Sequence, residues 1–521
     1  MSRDGRTGRR RFMQAAGATG AALTLPGTAS ALGLPRIGDD LARIDDRLDR
    51  NATSLQEVIV VFDSREALEA VDVLDSIDLS GVYWEFEVLP MAFATALGPE
   101  IELLAGLPGV RYVSSNYELE YHNDDSRELT GAGELNAGEA DGVDVPYRGE
   151  NTHAVVIDSG VDPNHPGLDI EANLRYVGVP NAQDEPLAWV DAGPVDTDES
   201  GHGTHCIGSV AADGEMSGGD DPFVSEYGES AGMAPETTIT SYSTGVGGLL
   251  LVFIVSAYDH MIAEQLSDSD TTYHVVSNSY GPLEDDRDFE PADPNNVATW
   301  FAHEAGILPV FSAGNSGPGE ATLSQYTKAP HVLGVAATED DQTVTGFSSR
   351  GRSDDFDGAN NYDRGEAYKN LTDLYRGVDE DDIDGPLGIY RNGIGAKGGS
   401  VMSAMMPQHI LYGTATGQEE GTPLYVRISG TSMSCPTTAG CASLVIDAYI
   451  DEFGEPPHPM DVLNALEATA DPDPTEDTDY NAENMGTGYV DAASAVRAVV
   501  DADSPDDLPS FDDVAELESG L

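Results

Sequence analysis

Apolar and polar positions along the chain repeat with two different periods. At 56–62 the run Gln-Glu-Val-Ile-Val-Val-Phe predicts a strand, and Leu68, Val71 and Leu74 then recur at helical spacing. Val82-Tyr83-Trp84-Glu85-Phe86 and Ala92-Phe93-Ala94-Thr95-Ala96-Leu97 predict two further strands, 101–107 a second helix, and Val110-Arg111-Tyr112-Val113 a closing strand. This β-α-β-β-α-β order in so short a stretch predicts a small α+β ferredoxin-like domain. Beyond residue 153 the rhythm changes. Short β-branched runs at 154–157, 239–242, 274–276, 307–311 and 332–336 are interleaved with longer helical patterns at 249–263 and 439–449. Such alternation predicts an α/β domain with a mostly parallel central sheet flanked by helices, whose sites gather at the carboxyl ends of strands.

Between and beyond these units the pattern is weaker. Residues 124–149 are rich in Gly, Asp and Glu and predict a linker or an irregular start to the large domain. Residues 353–388 contain Asp379-Glu380-Asp381-Asp382 and predict an acidic surface insertion; 501–521 carry no Lys or Arg and predict an acidic, flexible tail. At the start, Arg9-Arg10-Arg11 precedes Phe12, an apolar run from Met13 to Leu25 and the small-residue site Ala29-Ser30-Ala31. That order predicts a twin-arginine signal peptide cleaved after Ala31, and hence a secreted, extracellular product. No later run reaches the roughly 18 to 20 apolar residues of a membrane span. The expected organisation is 1–31 signal, 32–123 small domain, 124–500 large domain and 501–521 tail.

Charge changes the picture further. The 521 residues carry 93 acidic and 25 basic side chains, a formal net charge of -68, and Lys328, Lys369 and Lys397 are the only lysines. Nucleic acid is excluded as a partner because phosphate binding needs clustered Lys and Arg, and an anionic membrane surface is disfavoured for the same reason. Repulsion among carboxylates reaches roughly 10 Å at 0.1 M salt but roughly 3 Å at 1 M, so this surface is suited to brine. The composition resembles that of haloarchaeal proteins.

Three local settings carry chemistry. Val155-Val156-Ile157-Asp158-Ser159-Gly160 places Asp158 just past a buried strand, where it can accept a bond from a His ring. Gly201-His202-Gly203-Thr204-His205-Cys206 sets His202 at the mouth of a helix, and Gly430-Thr431-Ser432-Met433-Ser434-Cys435-Pro436 puts Ser432 at the start of another. Hydrolysis of a peptide bond needs a nucleophile, a base, a group that orients the base and donors for the oxyanion. His202 and His205 could also be read as a metal pair, but no further ligands at suitable spacing accompany them, and His205 reads as packing. Cys435 and Cys441, six apart on one helix, lie roughly 9 Å apart along its axis and cannot pair without distortion. Cys206, Cys435 and Cys441 read as three buried thiols.

The three segments, in the order Asp, His, Ser, resemble the motifs of the subtilisin family of serine proteases, and with the acidic composition they resemble the secreted halolysin-like subtilases of haloarchaea. The resemblance covers about 151–500 and implies a subtilisin-like fold with Asp158, His202 and Ser432 as triad. Phe311-Ser312-Ala313-Gly314-Asn315 resembles the oxyanion segment, which makes Asn315 the side-chain donor and Ala313 and Gly314 substrate-binding. Ser277-Asn278-Ser279-Tyr280-Gly281 resembles the strand that pairs with substrate, which assigns Ser279, Tyr280 and Gly281 to substrate backbone binding. Residues 56–121 are similar to the family's inhibitory propeptide, so the implied partners are polypeptide substrates and the chain's own propeptide. No cofactor is implied for the chemistry, and structural calcium is compatible with the family. Three departures stand out: Gly167 where many relatives carry a calcium-binding Asp, the loop Arg391-Asn392-Gly393-Ile394-Gly395-Ala396-Lys397-Gly398, and Thr437 in place of a common His. An esterase, a narrow processing protease, or a binding protein that keeps the fold without turnover are the alternatives.

Overall fold

The computed structural model describes residues 43–520, apart from residues 72, 117, 122–128, 179–186, 218–223, 225–226, 229, 246–248, 268–270, 283–286, 353–362, 418–422 and 473–481. The expected signal sequence at 1–31 lies outside the described residues.

An eight-stranded sheet organises the large domain, in the order Ile394–Lys397, Leu333–Thr338, Leu308–Ser312, Val275–Asn278, His153–Asp158, Thr238–Ser243, Ala172–Val177, Ala188–Asp191. Every neighbouring pair is parallel except the last. The inner strands His153–Asp158, Val275–Asn278 and Leu308–Ser312 are buried along their whole length except at His153, which is why they read as continuous apolar runs and not as alternation. On one face Ala154, Val156, Val310 and Val335 pack against Ile207 and Val210 of the helix His202–Ala211 and against Leu444 and Val445 of the helix Thr431–Phe453. On the other face Val155, Ile157, Val276 and Phe311 pack with the helices Leu251–Gln265 and Pro294–Glu304. The expected α/β architecture is therefore observed.

The small domain has the predicted element order, with the sheet order Arg43–Ile44, Val110–Ser115, Gln56–Phe62, Met91–Ala96, Tyr83–Glu85. Its two central strands are buried on both faces, each by a different partner. Val58, Val60, Ala92 and Ala94 face the domain's own Leu68, Ile101 and Leu104. Ile59, Val61, Met91 and Phe93 join the core beneath the large domain's helices. At the far end of this domain the strand Glu118–Tyr121 leaves it and enters a three-stranded sheet between Leu249–Leu250 and Tyr280–Pro282.

Three expectations about irregular segments are corrected. Residues 124–149 contain the helix Ala132–Ala137, with Ala132 and Leu135 fully buried in the large domain's core. In the expected insertion at 353–388, Arg364–Tyr375 is a helix whose Ala367, Leu371 and Leu374 are fully buried. The tail is folded as well: Phe511–Gly520 is a helix with Val514 buried and Phe511 packed on Tyr368 at 5.5 Å between ring centroids. Among the described residues no helix is long and apolar enough to cross a membrane.

Candidate active site

Asp158 ends the central strand His153–Asp158, and its side chain is fully buried. Its Oδ1 lies 2.7 Å from Nδ1 of His202, which is itself 1 % exposed, and accepts from the Ser159 backbone N–H at 2.7 Å. This approach requires glycine at 203. A Cβ there would stand 2.2 Å from the Gly160 carbonyl oxygen and 3.1 Å from Asp158 Oδ1, pushing the helix away from the carboxylate.

The start of the His202 helix is held by Asp198, a residue that the motif reading missed. Its Oδ1 accepts from Gly201 N and Ser159 Oγ at 2.8 and 2.7 Å, and its Oδ2 from Thr204 N and Oγ1 at 2.8 and 2.7 Å. Ser159 Oγ in turn accepts from Gly203 N at 2.9 Å. One buried carboxylate thus supplies the N-terminal cap that the side-chain-less Gly201 lacks and ties it to the Asp158 turn. An acid three residues ahead of the glycine at a helix start was the available signal.

Ser432 is the second residue of the helix Thr431–Phe453. Pro436 sits inside that helix and has no N–H, so the Ser432 carbonyl loses its i+4 donor. Ser279 Oγ takes the donor's place at 2.8 Å, with Cys206 Sγ at 3.6 Å. Reciprocally, Ser432 Oγ donates to the Ser279 carbonyl at 3.0 Å. The nucleophile candidate is therefore clamped to the segment expected to bind substrate.

Asn315 follows the strand Leu308–Ser312 and is half-buried. Its Oδ1 accepts from Thr431 N and Thr431 Oγ1, both at 3.1 Å, and Thr431 Oγ1 accepts from Gly314 N at 3.1 Å. With its carbonyl oxygen held by the turn just before Ser432, the amide nitrogen is the end available to another acceptor. Ala313 pairs with the next strand and with Ser324 by backbone bonds. The Tyr280 side chain is core: its hydroxyl donates to Asn278 Oδ1 at 2.7 Å, so it contributes only backbone to any bound peptide.

His205 does not join this group. It is fully buried, its Nε2 lies 3.3 and 3.2 Å from the Val401 and Val426 carbonyls, and burial pushes its pKa down to about 3. All three cysteines are free and buried. Burial lifts Cys435 to about 11, Cys441 to about 12 and Cys206 well above its ordinary value, so the thiols stay protonated and unreactive.

The strand Glu118–Tyr121 runs antiparallel to Tyr280–Pro282, with Tyr121 opposite Tyr280, Glu120 opposite Gly281 and Leu119 opposite Pro282. Leu119 and Glu118 pair on the other side with Leu249 and Leu250. Tyr121 is thus registered one residue from Ser279, whose carbonyl accepts the Ser432 hydroxyl.

A family model described as the subtilase family matches residues 149–489. The serine protease AprX of Bacillus subtilis is 27% identical over 357 residues, 67% of this chain and 66% of that protein. A subtilisin of Bacillus sp. strain TA39 is 26% identical over 307 residues, 58% of each chain. The subtilisin-like protease SBT4.10 of Arabidopsis thaliana is 25% identical over 364 residues, 58% of this chain and 49% of that one. The chain thus spans two thirds or less of the length of these relatives. The crystal structure of fervidolysin from Fervidobacterium pennivorans superposes with a TM-score of 0.56 at 20% identity, covering 89% of this chain and 64% of that one, a likeness of fold. Position 167, a departure noted in the sequence, is closed to a side chain unless Tyr425 moves. A Cβ on Gly167 would stand 2.1 Å from the Tyr425 hydroxyl oxygen.

Proposed function

The chain belongs to the subtilase family, and from that premise we propose that it is a secreted, salt-adapted serine endopeptidase made as a self-processed precursor. Asp158, His202 and Ser432 are its triad and Asn315 its oxyanion donor. His202 takes the Ser432 proton as Oγ attacks the peptide carbonyl. The oxyanion is met by the Asn315 amide and the Ser432 backbone N–H, and the tetrahedral adduct expels the amine with the proton returned by His202. Water then repeats the sequence on the acyl-enzyme. Asp158, bonded to Nδ1, keeps the ring in the tautomer whose Nε2 can accept that proton.

The observation that carries this reading is the strand Glu118–Tyr121, which lies as an extended peptide against Tyr280–Pro282, one residue from Ser279, whose carbonyl accepts the Ser432 hydroxyl. A substrate bound by β-augmentation would occupy the same place with the same register. That strand, continuous in sequence with the small domain, supports the proposed precursor, in which residues 32–123 inhibit until they are cut away. Twin-arginine export and the halolysin-like refinement rest on Arg9-Arg10-Arg11 and on the net charge of -68.

The test is a pair of measurements on exported protein in molar NaCl. Ser432→Ala should leave the 32–123 segment attached and abolish labelling by a serine-directed fluorophosphonate, while the parent loses the segment and is labelled once. A mature N-terminus on the Ser432→Ala protein, in a host lacking other proteases, would refute self-processing. Labelling of that variant would refute Ser432 as nucleophile.

A further inference from the structure

Just outside the candidate active site, three loops bring together Asp162, Asp196 and His409, whose ligating atoms all lie within 4.8 Å of one another. His409 Nε2 stands 3.8 Å from Asp196 Oδ2 and 4.0 Å from Asp162 Oδ2. The imidazole is 1 % exposed, and its Nε2 has no hydrogen-bond partner. A buried ring nitrogen aimed at two carboxylates yet bonded to neither leaves polar capacity unmet. Neither carboxylate is paired with Lys or Arg among the described residues. Asp162 Oδ1 accepts from Asn164 N and Nδ2 at 3.0 and 2.8 Å, and its Oδ2 accepts from Gln408 Nε2 at 2.9 Å. Asp196 is 34 % exposed, so the cluster opens to solvent on that side.

We propose that Asp162, Asp196 and His409 bind one divalent transition-metal ion of the zinc type. One imidazole with two carboxylates and a solvent-facing fourth position is a zinc-like donor set. Calcium prefers six to eight oxygens and is poorly served by a ring nitrogen. A tetrahedral ion about 2.0–2.2 Å from each donor separates the donors by roughly 3.4 Å, so the two His409–carboxylate distances need close by only about half an ångström, and the carboxylate pair, which lies within 4.8 Å, by at most about 1.4 Å. Binding at Nε2 puts the ring proton on Nδ1, which gives up a long 3.3 Å bond from Met406 N.

The placement gives the ion a purpose. His409 packs directly on Gly201, the cap of the His202 helix: a Cβ there would meet His409 Cβ at 2.7 Å and Nδ1 at 2.9 Å. The same loop bonds to the preceding turn through Ile410 N to Glu199 O and Leu411 N to Ser200 O, both 3.0 Å. Asp162 lies four residues past Asp158, and Asp196 two before Asp198. An ion here would fasten the loops that hold the helix start.

The experiment uses the full chain carrying Ser432→Ala, to prevent self-digestion, stripped with a chelator in molar NaCl and dialysed against Zn2+ with Ca2+ in excess. One tightly held zinc per chain, counted by plasma mass spectrometry, and a thermal midpoint several degrees higher with zinc are expected. Asp196→Asn, at a partly exposed position and therefore compatible with folding, and His409→Asn should each weaken binding at least tenfold and abolish the thermal shift. Cys206→Ser should keep both, because Asp158, His202 and Cys206 form the competing cluster. The proposal is overturned by absence of stoichiometric zinc in the parent, by unchanged affinity in Asp196→Asn and His409→Asn, by loss of the ion in Cys206→Ser, or by displacement of zinc by calcium.

Discussion

Single residues around Ser432 have separable tasks, and Asn315 offers the cleanest test. Its Oδ1 is committed to Thr431, and on the proposed reading its amide serves charge that develops only as the carbonyl becomes tetrahedral. Asn315→Ala should lower kcat by about 10² to 10³, or about 2.7–4 kcal/mol of barrier, with KM little changed. Unchanged turnover with weak binding would give it another role. The buried histidines make a second prediction at this scale. Burial holds His331 at about 3, far below the roughly 6.5 of an unfolded chain, so the folded state excludes a proton that the unfolded state takes up. Its cost to stability is nil above pH 6.5 and grows by about 1.4 kcal/mol per pH unit down to about 3. Replacing His331 by Asn should flatten the loss of denaturant-measured stability between pH 6 and 5 by that slope; an identical slope would refute the assignment. Asp158, His202 and Ser432 were legible as candidates because each sits in its own short motif. Asp198, His409 and the effect of Pro436 on the Ser432 carbonyl were not, since each acts on a group brought near only by the fold.

Elements show the same divide between local pattern and distant partner. The strand Gln56–Phe62 was legible as a strand, but only the packed structure shows that Ile59 and Val61 need the large domain to cover them. That docking also uses the carboxylate of Asp259, in the helix Leu251–Gln265. It accepts from the backbone N–H groups of Glu87, Val88 and Leu89 at 2.7, 2.7 and 2.9 Å while 8 % exposed. Hydrogen bonds to a charged group contribute about 1.5–3 kcal/mol. With the small domain as the proposed inhibitor, Asp259→Ala should therefore weaken its inhibition of the protein lacking residues 32–123 at least tenfold, read as a raised inhibition constant. Unaltered inhibition would place the affinity in the apolar face alone. The helices Ala132–Ala137, Arg364–Tyr375 and Phe511–Gly520 escaped the reading because acidic and glycine-rich composition masks a narrow apolar stripe. Arg364 was the least foreseeable. Its guanidinium is buried and donates to Glu467, which Arg391 also meets, and the two positive charges hold the Glu467 carboxyl below its usual range despite burial. Glu467→Gln leaves two buried guanidinium groups short of a counter-charge and should destabilise the fold by about 3–5 kcal/mol.

At the scale of the molecule, the formal charge of -68 bears on the proposed salt adaptation. Of the three lysines, Lys328 and Lys397 are buried, at 4% and 8% exposure, so nearly all cationic relief of a formal charge of -68 must come from arginine or from salt. Exposed ion pairs such as Lys369–Asp373 add little, since a solvated pair is worth about 0–1 kcal/mol. Self-repulsion instead grows with the number of acid pairs inside one screening length, which lengthens from roughly 3 Å at 1 M salt to roughly 10 Å at 0.1 M. We therefore expect helical circular dichroism and peptidase activity to fall together as NaCl is lowered from molar levels, and to return with KCl, because screening depends on ionic strength and not on the identity of the cation. The exposed acids of the stretch Asp379–Asp382 test the cause directly. Asp381 and Asp382 are exposed and shift no catalytic group, so Asp381→Lys with Asp382→Lys removes four units of negative charge without touching the core. The doubly substituted chain should unfold at a lower salt concentration than the parent. A midpoint that does not move, or full activity of the parent after prolonged dialysis into dilute buffer, would show that the acidic surface serves solubility and not salt-dependent folding.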